Sequence, residues 1–297
     1  MILIVAHDAG GANNIAGWLR KNSQQPCRFL LEGPALKVFE EFKPQVEGRE
    51  VLQGDLKGIE CILTGTGWKT DLEKSAIASG KKRGVRVISF LDHWSNYRKR
   101  FEFQGSYAFP DEIWLGDDFA LEMAKVLLPE IPVKKLVPNY YVEEIISQIH
   151  RLQKSNRRAT EKVRVLYLAQ PISDAALELT GDRRGYGYLE TEALEMYLKY
   201  LEPRMSRVEE FRLRHHPAES AGKYETFLRP FEDKMNVTYS SNTNLAEDCA
   251  WADWIVGCDT MAMAIAAQAQ KEVYCCIPPG GNRMVIPERG IQVLFKA

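Results

Sequence analysis

The sequence has no excess of charge of one sign and no long apolar run. Its 40 acidic and 39 basic residues give a formal net charge of -1 over 297 residues, which argues against nucleic acid or an anionic membrane as the main partner. No apolar stretch approaches the roughly 18 residues that a membrane-spanning helix needs. Because hydrophobic (45%) and charged (27%) residues occur in ordinary proportions, we predict a globular protein that acts on small molecules.

Cysteines with metal-ligand spacing are also missing. None of the six cysteines belongs to a C-x-x-C motif, and three lie in or beside apolar, strand-like runs. Buried free thiols in a reducing cytoplasm are therefore preferred, with zinc a distant second. The opening residues, MILIVAHDAGG, have neither a basic leader nor a long apolar core. We interpret them as a strand and a turn rather than a signal peptide.

Short apolar runs alternate with helical patterns along the whole chain. The runs lack strict polar–apolar alternation, which favours parallel strands covered by helices on both faces. They are residues 2–6, 27–31, 59–64, 85–91, 112–116, 134–137, 163–169, 210–216, 236–240, 254–258 and 272–277. We predict an α/β protein of two Rossmann-like, doubly wound domains that face each other across a cleft.

A polar stretch divides this alternation in two. Residues 150–162, HRLQKSNRRATEK, carry almost no large apolar side chain after Leu152, which is typical of a linker or a solvated helix end. The predicted domains are residues 1–155 and 156–297. Because ligands of open parallel sheets bind beyond the carboxyl ends of the strands, the residues that follow each strand are the candidate site residues.

The first strand is followed by HDAGGANN. Gly10 and Gly11 allow a tight turn that could expose backbone N–H groups to an anion or a hydroxyl-rich ligand. The glycines alone are equally consistent with a plain turn between a strand and a helix. Such a turn needs neither His7 nor Asp8, and their presence favours a functional interpretation.

The strand at 59–64 is followed by GTGWKTDLEK. Gly65 and Gly67 give the turn flexibility. Thr70 and Glu73, three residues apart, fit a capping box at the start of a helix, and capping accounts for both. It does not account for Trp68, whose ring could stack on a sugar or a base.

The strand at 85–91 is followed by DHWSNYRKRF. Acid, imidazole, aromatic and guanidinium groups crowd this strand end, a mixture that a surface loop does not require. Asp92 beside His93 can act as a general base or orient one. We assign Trp94 and Arg98 to the same acceptor-side loop.

Two connections of the second half carry candidate phosphate ligands. The segment 169–187 is predicted to be a long loop in which Arg183 and Arg184 either clamp a phosphate or form a solvated charge cluster. Pro217 fits the first turn of a helix, which would hold His216 rigidly beside a phosphate. Residues 240–243, SSNT, are helix N-cap candidates first and phosphate or ribose ligands second.

The strand at 254–258 runs into GCDTMAMAIAAQAQ, a helix of small side chains that could pack closely on a sheet. Gly257 lets the backbone come close to a ligand. Thr260 offers a hydroxyl and an N–H at the positive end of the helix dipole, and Asp259 could cap the helix or bind hydroxyls. We predict that this helix start binds an anionic group of a nucleotide.

These residues resemble a known family. The order HHP, SS and GCDTMAMAIAAQAQKEVYCCIP resembles the C-terminal half of GT-B glycosyltransferases. Within that fold it is most similar to bacterial sialyltransferase-like and CDP-glycerol glycerophosphotransferase-like enzymes and to surface-polysaccharide biosynthesis proteins. In such proteins a His-Pro pair and a Ser or Thr at a helix start hold the phosphate groups of the donor. The resemblance implies this role for His216, Pro217, Ser240, Ser241, Asp259 and Thr260.

The N-terminal HDAGGAN is similar to the glycine turn that carries the acceptor-side base in this fold, which implicates Asp8, Gly10 and Gly11. The resemblance implies a metal-independent, inverting glycosyltransferase that needs no cofactor. Its donor would be a nucleotide-activated sugar or polyol phosphate and its acceptor a glycan or a lipid-linked molecule. A DxD-type metal motif is absent, because the GDD at 116–118 is interpreted as the start of a helix.

In the implied reaction, Asp8 or Asp92 deprotonates the acceptor hydroxyl while His216 and Thr260 neutralise the leaving phosphate. Two alternatives remain open. One is a nucleotide-sugar 2-epimerase or hydrolase of the same fold, and the other is a non-catalytic nucleotide- or glycan-binding protein.

Overall fold

The structure is a computed structural model that describes residues 1–22, 26–43, 45–54, 56–68, 70–155, 161–220, 222–241 and 244–295. The chain divides into two compact units, residues 1–143 and 144–297. The predicted boundary at 155/156 and the middle of the predicted linker, residues 156–160, lie outside the described residues. Residues 150–155 form the end of a helix.

The first unit is a parallel sheet with helices. Its strands are β1 (Ile2–Ala6), β2 (Cys27–Leu31), β3 (Cys61–Thr64), β4 (Arg86–Leu91), β5 (Glu102–Phe103), β6 (Ser106–Tyr107), β7 (Glu112–Leu115) and β8 (Val133–Leu136). Its helices are α1 (Ala9–Lys21), α2 (Ala35–Val38), α3 (Leu72–Lys82), α4 (Asp118–Leu127) and α5 (Tyr140–Ser155), the last of which crosses into the second unit. The sheet order is β2-β1-β3-β4-β7-β8, and β5 and β6 form a separate antiparallel hairpin that was not predicted.

The second unit has the same kind of architecture. Its strands are β9 (Val163–Leu168), β10 (Val208–Arg214), β11 (Val237–Tyr239), β12 (Trp254–Gly257), β13 (Glu272–Cys275) and β14 (Ile291–Val293). Its helices are α6 (Ile172–Thr180), α7 (Glu190–Leu201), α8 (Glu225–Leu228), α9 (Leu245–Trp251) and α10 (Met261–Gln268). The sheet order is β11-β10-β9-β12-β13-β14, which is the strand order of dinucleotide-binding Rossmann domains.

The predicted fold class is confirmed, because both six-stranded sheets are parallel and each unit is Rossmann-like. The strands read as continuous apolar runs because helices cover both faces. In the first unit one apolar cluster includes Ile4, Leu63, Phe90 and Trp114 from the sheet and Ile15 from α1. Burying each such side chain contributes roughly 1.5–3 kcal/mol.

Two local predictions in the second unit are wrong. Residues 172–180 of the predicted long loop form α6, because Ile172 and Ala176 lie four residues apart and are both buried. Gly181 ends this helix in the left-handed conformation that glycine adopts without strain. No helix begins at Pro217, which lies in a turn, and α8 begins only at Glu225.

The structure bears on membrane spans, cysteines and metal sites. Among the residues that the structure describes, no helix is long and apolar enough to cross a membrane. Cys249, Cys258, Cys275 and Cys276 are buried free thiols, as predicted, whereas Cys27 and Cys61 are only partly buried. Burial raises the pKa of Cys249 to about 12. Over the same described ranges, no group of three or more His, Cys, Asp or Glu side chains could hold a metal ion.

Candidate functional site

Each sheet has a point where the strand order reverses, and polar side chains collect at both points. In the first unit the reversal lies between β1 and β3, and in the second it lies between β9 and β12. Ligands of open α/β sheets bind at such points, beyond the carboxyl ends of the strands. We call the residues around His7, Asp8, Glu73 and Asp92 the first-unit cluster. Those around Gln170, Asp259 and Thr260 form the second-unit cluster.

Glycines in the first-unit cluster serve close packing. Gly10 and Gly11 lie in the first turn of α1, which begins at Ala9, so they do not form the predicted turn ahead of the helix. A Cβ on Gly11 would lie 2.9 Å from the Cα of Gly65, and a Cβ on Gly10 would collide with Oδ2 of Asp92. The two connections that follow β1 and β3 can therefore approach each other only with glycine at these positions.

His7 and Asp8 form a pair at the end of β1. Nδ1 of His7 lies 2.7 Å from Oδ1 of Asp8, and their side chains are 21% and 32% exposed. Asp8 is the N-cap residue of α1 but makes no capping hydrogen bond. Within the described part of the chain, no donor contacts its second oxygen, Oδ2. The carboxylate is thus held on one side by His7 and open on the other.

Glu73 does not take part in a capping box, so that prediction is wrong. Its Oε1 instead accepts a hydrogen bond from the backbone N–H of His7 at 2.8 Å. Its Oε2 and the Oγ1 of Thr70 are both buried without a hydrogen-bond partner among the described residues. Glu73 is 1% exposed, and its burial raises the pKa of its carboxyl group to about 7.

Asp92 is bound to a buried guanidinium group. Its Oδ1 accepts hydrogen bonds from Nη1 of Arg100 at 2.8 Å and from Oγ1 of Thr66 at 3.3 Å. Arg100 is 5% exposed and also donates to the carbonyl oxygens of Thr66 and Ser95. Asp92 therefore supplies the counter-charge for Arg100, a role that the sequence pattern did not indicate.

The other predicted acceptor-side residues have separate partners. Nδ1 of His93 lies 3.0 Å from Oγ of Ser95, and burial, together with the nearby Arg100, lowers the pKa of His93. Trp94 is buried and donates to Oδ2 of Asp117 at 3.0 Å. The same carboxylate caps α4 through its other oxygen, which confirms the interpretation of GDD as a helix start.

Arg98 and Trp68 lie at the edge of this region. Arg98 forms an ion pair with Glu130 at 2.8 Å and stacks over the ring of Tyr107. Nζ of Lys99 lies 5.0 Å from the centre of the Trp68 ring, a cation–π contact. The first-unit cluster therefore unites His7, Asp8 and Asp92, while Trp68, Trp94 and Arg98 have other partners.

The buried carboxyl of Glu73 predicts a pH-dependent stability. Between the unfolded pKa of 4.5 and the folded pKa of about 7, the folded protein keeps a proton that the unfolded chain has lost. Rising pH therefore removes about 3 kcal/mol of the free energy of unfolding across this window. Glu73→Gln should lack this loss. In urea unfolding, the free energy of unfolding of the variant minus that of wild type should therefore increase from about pH 5 to about pH 8. Glu122→Gln, which removes an exposed carboxylate of α4, is the matched control. A stability difference that does not vary with pH would contradict the prediction.

In the second-unit cluster, Gln170 fixes the backbone of Asp259. Nε2 of Gln170 donates to the carbonyl oxygen of Asp259 at 2.7 Å, and the N–H of Asp259 donates back to Oε1 at 3.1 Å. Oδ1 of Asp259 accepts from the N–H groups of Val285 and Ile286. Asp259 thus anchors residues 285–286 and does not cap α10. Burial raises the pKa of its carboxyl group.

Thr260 is the N-cap residue of α10, and its side chain makes no capping hydrogen bond. The predicted close packing of this helix is confirmed, since Met263 and Ile265 are buried. Gly257 serves this packing, because a Cβ there would lie 2.9 Å from Sδ of Met263 and 3.1 Å from the carbonyl oxygen of Leu168. The start of α10 is therefore held close to β9.

His216 lies in a turn that a buried carboxylate stabilises. Its N–H donates to Oε2 of Glu219 at 3.1 Å, and its Nδ1 accepts from the N–H of Ala218 at 3.2 Å. Because Nδ1 accepts, the neutral ring carries its proton on Nε2. The turn, and not an N-terminal proline of a helix, fixes the orientation of this histidine.

The hydroxyl of Ser240 forms a hydrogen bond within the protein. It donates to Oδ2 of Asp248, which is completely buried and also pairs with Arg212 and Arg214. Ser241 is exposed, and residues 242 and 243 lie outside the described residues. The N-cap of α9 is Asn244, whose side chain accepts from the N–H of Ala246.

Sequence reasoning missed a buried ionic network beside α6. Lys223 forms ion pairs with Glu190 and Glu219, and Glu190 accepts two hydrogen bonds from Ser173 in the first turn of α6. Burial raises the pKa of Glu190, but the bonds from Lys223 and Ser173 outweigh it and leave the pKa lowered. Arg183 and Arg184 pair with Asp174 and Glu192.

Sequence reasoning also missed Gln170 of the second-unit cluster. Its position directly after the predicted strand 163–169 could have indicated it.

Neither a protein-family model nor a curated protein matches the sequence, whereas solved structures do. The UDP-GlcNAc 2-epimerase from Neisseria meningitidis bound to UDP-GlcNAc has a TM-score of 0.60 at 9% identity, over 99% of this chain and 87% of that one. The S. aureus MnaA–UDP co-structure has a TM-score of 0.60 at 11% identity, over 92% and 78%. MurG of Acinetobacter baumannii has a TM-score of 0.52 at 10% identity, over 98% and 85%.

The fold is of the GT-B type. This confirms the GT-B fold that the resemblance implied. At these identities the likeness concerns the fold, and the roles of individual residues depend on their own contacts. Within this GT-B fold, the two clusters occupy the strand-order reversals of its two Rossmann-like units.

Proposed function

We propose that the protein is a metal-independent, inverting transferase that moves a sugar or a polyol phosphate from a nucleotide-activated donor to a glycan or lipid-linked acceptor. The second unit binds the nucleotide and the first unit supplies the base. The observation that carries the proposal is the placement of polar groups at both strand-order reversals of a GT-B fold. Structures of this fold include one bound to UDP-GlcNAc and one bound to UDP.

The donor site is proposed at the start of α10. Thr260 offers a hydroxyl group and the first N–H groups of a helix, where the helix dipole favours negative charge. His216 carries its ring proton on Nε2 and can donate it to a phosphate oxygen. Both groups would stabilise the negative charge that develops on the leaving nucleotide.

The acceptor base is proposed to be Asp8. In the proposed step, Oδ2 of Asp8 takes the proton of the acceptor hydroxyl, and the oxygen attacks the anomeric carbon or phosphorus as the bond to the nucleotide phosphate breaks. His7 holds Oδ1 of Asp8 and so orients the carboxylate. Asp92 is less suited to this role, because its Oδ1 is bound by Arg100 and Thr66.

A nucleotide-sugar 2-epimerase is the second candidate. It is supported by the structure described as a UDP-GlcNAc 2-epimerase, which has a TM-score of 0.60. The first-unit cluster also contains two neighbouring carboxyl groups, Asp8 and Glu73, which could remove and return a proton.

One experiment separates these functions. The protein is incubated with a panel of nucleotide sugars and CDP-glycerol, with and without glycan acceptors, and the products are followed by NMR. Release of nucleotide that depends on an acceptor supports the transferase. A new sugar epimer, or nucleotide release without an acceptor, supports the epimerase or hydrolase. Binding without any product indicates a non-catalytic binding protein.

Removing the phosphate donors should weaken nucleotide binding. Thr260→Ala and His216→Ala each delete one proposed hydrogen bond to a charged group, worth roughly 1.5–3 kcal/mol. We therefore expect UDP or CDP to bind about tenfold or more weakly to each variant in calorimetry. Ser206→Ala, which changes an exposed hydroxyl of the same unit, should bind like wild type. Unchanged affinity in both variants, with folding intact, would remove these residues from the site.

A further inference from the structure

The proposed transferase reaction gives no role to Glu73, a carboxyl group of the first-unit cluster. Glu73 is almost completely buried, and it lies next to the connection that carries Asp8. Buried carboxyl groups are ordinarily paired with a cation or fully hydrogen-bonded. Here Oε1 accepts from the backbone N–H of His7, and Oε2 has no hydrogen-bond partner among the described residues.

Gly67 brings this group close to Asp8. A Cβ on Gly67 would lie 2.9 Å from Oδ2 of Asp8 and 3.0 Å from Oε1 of Glu73. The two oxygens are therefore at most about 6 Å apart, within the range in which two like charges change each other's proton affinity. The oxygen of Asp8 on this side is the one that lacks a donor from the described residues.

We propose that Glu73 and Asp8 form one coupled carboxyl pair, in which the charge on Glu73 sets the proton affinity of Asp8. While Glu73 keeps its proton, Asp8 is the single negative group of the pair. When Glu73 loses its proton, the second negative charge makes Asp8 a stronger base. Glu73 is thus a positioning residue that acts through Asp8 and through the backbone of His7.

Other charges around Glu73 are few. His7 and Asp8 act on it from the connection between β1 and α1. Arg49 acts on it from the 3-10 helix Arg49–Leu52, which packs on α3. On α3 itself, Asp71 and Lys74 form an ion pair with each other. The strands packed on α3 carry Cys61, Arg86 and Glu102, of which Arg86 pairs with Glu112. Asp8 is the like charge that acts most strongly on Glu73.

The coupling can be measured without a substrate. The proton uptake of wild type minus that of Glu73→Gln, from potentiometric titration, isolates the ionisation of Glu73. The same difference is then measured in an Asp8→Asn background, where Asn keeps an oxygen for His7 but loses the charge. We expect the midpoint of the Glu73 ionisation to fall by about one pH unit or more in that background.

Because coupling free energies are reciprocal, this shift equals the effect of Glu73 on Asp8. A Glu122→Gln background should leave the midpoint in place. Asp8→Ser provides a second uncharged background, and urea unfolding checks that each protein is folded. If the midpoint of the Glu73 ionisation is unchanged in both Asp8 backgrounds, Glu73 and Asp8 are not coupled and the proposal is wrong.

The consequence for turnover rests on the proposed function. With Asp8 as the base, acceptor-dependent nucleotide release should rise as Glu73 ionises in wild type, and Glu73→Gln should lack this rise. A merely structural role of Glu73 would lower the rate without changing the shape of the pH profile. A midpoint shift with no nucleotide release from any donor would support the pair and count against the transferase, so the two failures are distinguishable.

Discussion

Asp8→Asn is expected to lower turnover by roughly 10²–10⁴-fold while leaving nucleotide affinity nearly unchanged. The asparagine keeps an oxygen that can accept from His7 but cannot take a proton from the acceptor hydroxyl. The start of α1 should remain in place, because Asp8 makes no capping hydrogen bond there. The measurements are steady-state nucleotide release with acceptor present and, separately, nucleotide binding by calorimetry.

Asp92→Asn is the matched comparison. Removing this charge leaves the buried guanidinium of Arg100 without its carboxylate partner, so the main effect should be a lower free energy of unfolding. If Asp92→Asn slows turnover with its stability intact and Asp8→Asn does not, the base has been assigned to the wrong aspartate. If both variants act only by weakening nucleotide binding, the first unit supplies no base.

The positions of most parallel strands, though not their order in the sheets, followed from the sequence because parallel strands leave a strong signal. Strands buried on both faces must be apolar throughout, so runs such as ILIVA at 2–6 and EVYCCI at 272–277 mark them directly. The helix start at Thr260 was predicted from a similar signal. A run of small side chains directly after a strand indicates a helix that packs closely on the sheet. Strand β14 was missed because its IQV carries a polar residue and is partly exposed.

The partners of polar side chains could not be read in the same way. Thr70 and Glu73 have the spacing of a capping box, yet Glu73 binds the backbone of His7, 66 positions away in the sequence. Asp259 resembles a helix cap and instead holds residues 285–286. The spacing of residues in the sequence indicates which local hydrogen bonds are possible. Tertiary packing determines which hydrogen bonds form.

The backbone conformation around His216 was also predicted incorrectly from local sequence. The sequence HHPAES suggests a proline in the first turn of a helix, but the buried Glu219 binds the N–H of His216 and the hydroxyl of Tyr224. These bonds stabilise a turn at 217–219 in place of a helix. The histidine lies two residues beyond the end of β10.

A buried carboxylate, that of Asp248, binds the arginines at the end of β10. Asp248 is 0% exposed, and it accepts from Arg214 at 2.6 Å, from Arg212 at 3.3 Å and from Ser240. Asp248→Asn keeps the shape of the side chain but removes the charge that both guanidinium groups face. Breaking a buried ion pair from one side costs about 3–5 kcal/mol, and we expect a loss of that size in the free energy of unfolding by urea.

Asp233→Asn, which removes an exposed carboxylate of the same unit, should change the free energy of unfolding by less than about 0.5 kcal/mol.

The comparison of Asp248→Asn with this control also tests the predicted phosphate role of Ser240. If Asp248→Asn unfolds much more easily than the control, the hydroxyl of Ser240 belongs to a network that the fold requires, and a nucleotide would have to compete with it. If the loss stays below about 1 kcal/mol, the arginines are sufficiently solvated without Asp248.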